Sequence, residues 1–319
     1  MNSQWRDLFI FIILVAIGCY IWMNKQNMPV KKAPEPPKVQ EEAPKPRVTD
    51  KKFAMTYQFD LDIKDIDNIE KAILMFPVPK TSTAKQTISD IKYSRPNVQI
   101  QNSDDSKFAK ITITDFVNEK PQVIMTLNAN LHTYDYQRAI KLNRNYDQLS
   151  NRSRYVKDEK NIEVNSKTVR AAANQISGKT NIDILMAIAD YMNKNLELGH
   201  SVGNLGAEKA LKAHKAGTTD YANVFVALAR AKGLPARIVS GYRIDGVSAR
   251  RHAWAEVYFQ KYGWVTFDPH YAPVDITELE GFYVACAVNS FIADSVETFY
   301  SGGHMRAGRV YNDVQIKEL

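Results

Sequence analysis

Gly217-Thr218-Thr219-Asp220-Tyr221-Ala222 opens an apolar helical run, and two strand-like stretches follow it in the chain. These are His252-Ala253-Trp254-Ala255-Glu256-Val257-Tyr258 and Trp264-Val265-Thr266-Phe267-Asp268-Pro269. Tyr221, Val224, Phe225, Leu228 and Ala231 fall on or near one face, so the spacing predicts a helix from about Thr218 to Lys232, stopped by Gly233-Leu234-Pro235. A helix start, then a histidine on one strand, then an aspartate on the next is the layout of a Cys-His-Asp acyl-transfer site. The helix dipole favours an anionic nucleophile. The imidazole takes the proton, and the carboxylate fixes its tautomer.

Working outward, the same order continues through Ala229-Arg230-Ala231-Lys232-Gly233-Leu234-Pro235-Ala236-Arg237 and Ser240-Gly241-Tyr242. Together with the three stretches above, these strings resemble the transglutaminase-like superfamily, whose core is a papain-like α+β fold. The resemblance is tight over about residues 205–270. More loosely, bacterial members with an N-terminal β-domain look like residues 53–319, with Pro77-Val78-Pro79 and Gln86 as counterparts of a strand end and its following glutamine. The resemblance implies that His252 is the base and Asp268 its orienter. It also implies a cysteine two positions before Asp220-Tyr221-Ala222, where this chain has Thr218.

That replacement decides the functional expectation. A thiol at a helix start beside a histidine ionises near neutral pH. A threonine hydroxyl must lose its proton during attack, and its methyl stiffens χ1. Threonine nucleophiles ordinarily use their own terminal amine as base, which an internal residue lacks. Loss of a triad member costs about 10³–10⁶ in rate. Thr218 therefore reads as a helix N-cap at a degenerate nucleophile position. The alternative is an alcohol triad of Thr218, His252 and Asp268. Cys286, in the apolar run Tyr283-Val284-Ala285-Cys286-Ala287-Val288, reads as a buried small hydrophobe.

The neighbours are expected to be bland. Trp254 and Trp264 read as core, His270 as a loop residue and Arg250-Arg251 as a solvated loop. A zinc site from His252, Asp268 and His270 lacks cysteine support, and no cofactor or metal is expected.

Outside this region the chain is heterogeneous. It has 319 residues, 45% hydrophobic and 24% charged, which is ordinary for a folded protein. The net charge is +7, from 42 basic and 35 acidic residues, but residues 24–52 alone hold eight basic and four acidic ones. The folded part is nearly neutral, so no nucleic-acid partner is expected. Leu8 to Met23 carries no charge, and residues 1–23 are read as a transmembrane anchor flanked by Trp5 and Trp22. A cleaved signal or a lipidated Cys19 fits less well. Residues 24–52 hold six of the thirteen prolines and read as a disordered Pro-rich linker.

From Phe53 the period becomes two: Met55, Tyr57, Phe59, Leu61 and Ile63 alternate with polar residues. Further strand-like runs follow at Ala72–Phe76, Ile88–Tyr93, Val98–Gln101, Phe108–Thr114 and Val123–Leu131. Residues 53–150 are expected to form a β-sandwich without a catalytic constellation, and 151–319 the α+β transglutaminase-like domain. A helical face is also expected at Leu185, Ile188, Met192 and Leu196. The chain thus reads as a single-pass membrane protein whose cleft binds a peptide or protein partner. Anchored members of the family it resembles place this domain outside the cytoplasm, whereas the positive-inside rule alone would keep it inside.

Overall fold

The computed structural model describes residues 47–63, 68–82, 85–103, 106–114, 116, 121–135, 152–199, 204–260, 262–271, 279, 281–288 and 295–319. The expected anchor at 1–23 and most of the linker at 24–52 lie outside the described residues. No helix among the described residues is long and apolar enough to cross a membrane.

The alternation seen in sequence becomes strand β1, Arg47–Asp62, with Phe53, Met55, Tyr57, Phe59 and Leu61 buried. It starts earlier than the sequence suggests. Residues from Arg47 onward, assigned to the linker on composition, pair with strand β6, Gln122–Asp135, down to Arg47↔Asp135. Strands β2 (Ile69–Val78), β3 (Gln86–Tyr93), β4 (Gln99–Ser103) and β5 (Ser106–Ile113) occupy the expected runs. Phe59 and Phe76 stack at 4.1 Å between centroids in their shared core.

The chain then turns helical: α1 (Lys167–Asn174), α2 (Asn181–Asn195), β7 (Glu197–Leu198), α3 (Ala207–Ala213), β8 (Lys215–Ala216) and α4 (Thr218–Ala231). Strands β9 (Ala236–Asp245), β10 (Ser248–Phe259), β11 (Gly263–Phe267) and β12 (Phe282–Val288) follow, then β13 (Ser295–Tyr300), β14 (His304–Ala307) and β15 (Arg309–Glu318).

The sandwich draws strands from both flanks of the chain. One sheet runs β15-β1-β6-β3 and the other β14-β13-β2-β5-β4. β15 pairs with β1 from Phe53↔Glu318 to Asp62↔Arg309. β13 pairs with β2 beginning at Ser295↔Met75. A contiguous sandwich ending near residue 150 therefore does not describe these sheets. The late strands bring Val296, Val310, Val314 and Ile316 to the same core.

The remaining sheet, β11-β10-β9-β12, is antiparallel. Helix α4 lies on one of its faces and is buried on every side from Asp220 to Arg230. Other elements surround it, so most of its positions are apolar, with Asp220, Asn223 and Arg230 as buried polar exceptions. Ala253 and Ala255 on β10 let it approach closely, with Val257, Val265 and Phe267 filling the gaps. Gly233 ends the helix at φ +81°. Helix α2 carries the expected face, with Leu185, Ile188 and Met192 buried, and a Thr180/Asp183 capping box.

Strand β12 ties the two cores together. Tyr242 and Ile244 of β9, with Val284 and Cys286 of β12, pack into the sandwich core. Gln86 clamps Ala285 twice: its Nε2 donates to the carbonyl at 2.9 Å, and its Oε1 accepts the N–H at 2.8 Å. Opposite this clamp, a β-carbon on Gly241 would lie 1.9 Å from the Val284 carbonyl oxygen. Gly241→Ala is therefore expected to push β12 off β9 and cost about 1–3 kcal/mol, read as a lowered denaturation midpoint. An unchanged midpoint would show that the strand yields freely.

Candidate active site

The register of β10 with β11, Ala255↔Phe267, places Asp268 just past the last pair and beside the β10 row His252, Trp254, Glu256. The His252 Nε2–H donates to Asp268 Oδ2 at 2.7 Å, and both side chains are fully buried. Asp268 also accepts the Tyr283 hydroxyl at 2.8 Å on Oδ2, and on Oδ1 the N–H groups of His270 and Tyr271 at 3.2 and 3.3 Å. Burial alone would raise this carboxyl. The bond and charge of His252, with the Tyr283 and Tyr271 donors, outweigh it and hold Asp268 below its ordinary value.

A carboxyl lowered in the folded state stabilises the fold above its ordinary value of 3.8, and that contribution is lost as pH falls through the lowered value. Asp268→Asn is expected to cost about 1–3 kcal/mol at pH 7 and to flatten the acid limb of stability, measured by urea denaturation across pH. An acid limb identical to wild type would remove Asp268 from the account.

Tyr283 is the partner that sequence reasoning missed. It lies across from Arg243 in the β9–β12 register, a relation invisible until the sheet is paired. Burial, and then the Asp268 charge, push its hydroxyl far above the ordinary value, so it stays a donor. The Arg243 guanidinium lies 4.0 Å from the Tyr271 ring centroid, and the Tyr271 ring lies 5.1 Å from that of His252. Arg250 and Arg251, expected in a solvated loop, are exposed but stand on β10.

Thr218 is the first residue of α4. The N-cap is Gly217, and no side chain caps this helix. This corrects the expectation that the Thr218 hydroxyl caps it. Asp220, the third residue of the helix, accepts the Gly206 N–H on Oδ1 at 3.0 Å, and its Oδ2 is buried without a hydrogen-bond partner among the described residues. Burial raises its carboxyl and the backbone donors around it pull it back only in part.

The start of α4 reaches the histidine through aromatic rings. Tyr221, one turn on from Thr218 and thus on the same helix face, has its ring 5.9 Å from that of His270. The His270 ring is in turn 5.8 Å from that of His252. His270 is therefore half-buried within the cluster, not a free loop residue. Burial lowers its pKa, so it stays neutral near pH 7.

Among the described residues the Thr218 hydroxyl makes no hydrogen bond, and neither does Nδ1 of His252. Cys286 is buried in β12, as expected of a small hydrophobe, and its thiol leans on the Val284 carbonyl at 3.8 Å. No group of three His, Cys, Asp or Glu able to hold a metal occurs among the described residues. Chemically the arrangement is a base with its orienter, linked through the rings of His270 and Tyr221 to a helix start that carries an alcohol.

Known proteins share this fold. Residues 170–269 match the family model of the transglutaminase-like superfamily. YebA of Bacillus subtilis (strain 168), itself uncharacterized, is 26% identical over 168 residues, 46% of this chain; the chain spans only 22% of that protein's length. A Cytophaga hutchinsonii structure, described as a candidate cysteine protease, superposes with a TM-score of 0.61. It does so at 17% identity over 86% of this chain and 93% of its own, which is a likeness of fold.

Proposed function

For a chain whose residues 170–269 form a transglutaminase-like domain, we propose a membrane-tethered and catalytically degenerate role, in which the cleft binds a peptide or protein partner without cutting or joining it. Residues 1–23 serve as the anchor and the Pro-rich stretch as a tether. The folded part stands outside the cytoplasm, as in the anchored members the sequence resembles.

The observation that carries the reading is the His252–Asp268 pair, complete and buried, in a chain whose position 218 holds an alcohol that makes no hydrogen bond among the described residues. An alcohol held without a base contact stays protonated, so attack on a carbonyl has no standing anion to start from. One feature favours a second reading, an amide hydrolase or acyltransferase using Thr218, His252 and Asp268: Nδ1 of His252 is left open to accept a proton.

Incubation with activated esters and glutamine amides, followed by intact-mass analysis, separates the two. The first reading expects an unmodified Thr218 and the same background turnover in His252→Ala. An acyl adduct on Thr218 that disappears in His252→Ala establishes the second.

A further inference from the structure

On the His252 side of the sheet, where the turn before β3 faces β9, β10 and β11, there is a cavity of about 510 Å³. That volume falls within the range of small-molecule sites. Its floor is a charge cluster. Glu256 is buried and shared between Lys85, which reaches in from the sandwich, and Arg237, at 2.7 Å. Lys85 also donates to the Thr266 hydroxyl at 2.9 Å.

Donors outnumber acceptors here. Lys85 has three N–H groups and spends two, on Glu256 and Thr266. Thr266, 8% exposed, accepts from Lys85, and among the described residues its own O–H has no acceptor. Glu256 has both oxygens engaged already. Three cationic side chains, Lys80, Lys85 and Arg237, line the space against this single carboxylate. The walls are flat and apolar: Trp254, Trp264 and Tyr283, with Arg237 stacked 4.1 Å over Trp264.

We propose that this cavity is a binding site for a small carboxylate ligand with a flat apolar body, about the size of a blocked amino acid. Its carboxylate sits on the third N–H of Lys85 and the O–H of Thr266, and its body lies against Trp254, Trp264 and Tyr283. Two donors side by side suit a planar two-oxygen acceptor. The apolar walls suit an organic body and disfavour a hydrated phosphate. The site does not depend on Thr218, so it stands or falls apart from the degenerate reading.

The test is calorimetric titration of the full chain with N-acetyl-L-phenylalanine and, as the neutral counterpart, N-acetyl-L-phenylalaninamide. The acid is expected to bind saturably at one site, with the amide at least about tenfold weaker. Thr266→Val keeps the shape, removes one donor and should weaken the acid about tenfold. Lys85→Met should weaken it further. Should Lys85→Met fail to fold, Thr266→Val decides alone. No saturable binding of the acid, equal binding of acid and amide, or wild-type affinity in Thr266→Val overturns the proposal. Displacement of the acid by equimolar orthophosphate overturns the assignment to a carboxylate.

Discussion

Thr218→Cys is expected to convert an inert cleft into a thiol site, with single-turnover acylation by an activated ester rising about 10³-fold or more over wild type. The reason lies in what is already present. The new sulfur would stand at the first residue of α4, where the dipole lowers thiol pKa. Nδ1 of His252 is unpartnered, and Asp268 holds the ring from the other side. The gain should vanish in the double variant with His252→Ala. The buried Cys286 provides an internal comparison, since it should stay unmodified. A Thr218→Cys protein whose thiol reacts like free cysteine, with or without His252, would mean that the helix start and the histidine are not arranged as a reaction site at all.

Glu256→Ala is expected to cost about 3–5 kcal/mol, the largest stability loss among the substitutions considered. Glu256 is buried, and its two oxygens hold Lys85 and Arg237. Burial raises its carboxyl, but the two cations outweigh this and keep it below the ordinary value, so it is ionised at neutral pH. Truncation leaves two cations facing each other without their anion. Adding Lys85→Met to Glu256→Ala should recover part of the loss, because one unpaired cation is worse when another is beside it. Urea denaturation of the three variants gives the comparison. A cost below about 1 kcal/mol for Glu256→Ala would mean that water already screens the cluster.

Much of this was legible in the residues. Period two from Phe53 foretold β1, and the spacing from Tyr221 to Ala231 foretold α4, because each pattern is a local consequence of one buried face. His252 and Asp268 were legible because their motif fixes neighbouring strands. What escaped depended on pairing between distant segments. Lys85 and Gln86 sit in a half that shows no chemistry of its own, yet they reach the sheet that carries His252, at Glu256 and Ala285. Tyr283 acquires its role only when β12 is laid beside β9. The strand 309–318 is half polar, and only its partner β1 shows where its apolar residues go. The cap was misread for a related reason. A threonine at a helix start looks like an N-cap, but Gly217 takes that place, no side chain caps the helix, and the Asp220 carboxylate turns to the Gly206 N–H instead.

Because β1 is sandwiched between β6 and β15, the papain-like part is nested inside the sandwich rather than appended to it. The order of synthesis then matters. A nascent chain can complete α4 and its sheet while the first sandwich sheet still lacks an edge and the second lacks β13 and β14. Closure waits for residues some 250 positions downstream of their partners, and such long loops slow folding. Until then β1 offers an unpaired, strongly apolar edge. Holding that edge apart from other chains is the step at which this protein is most exposed to misassembly.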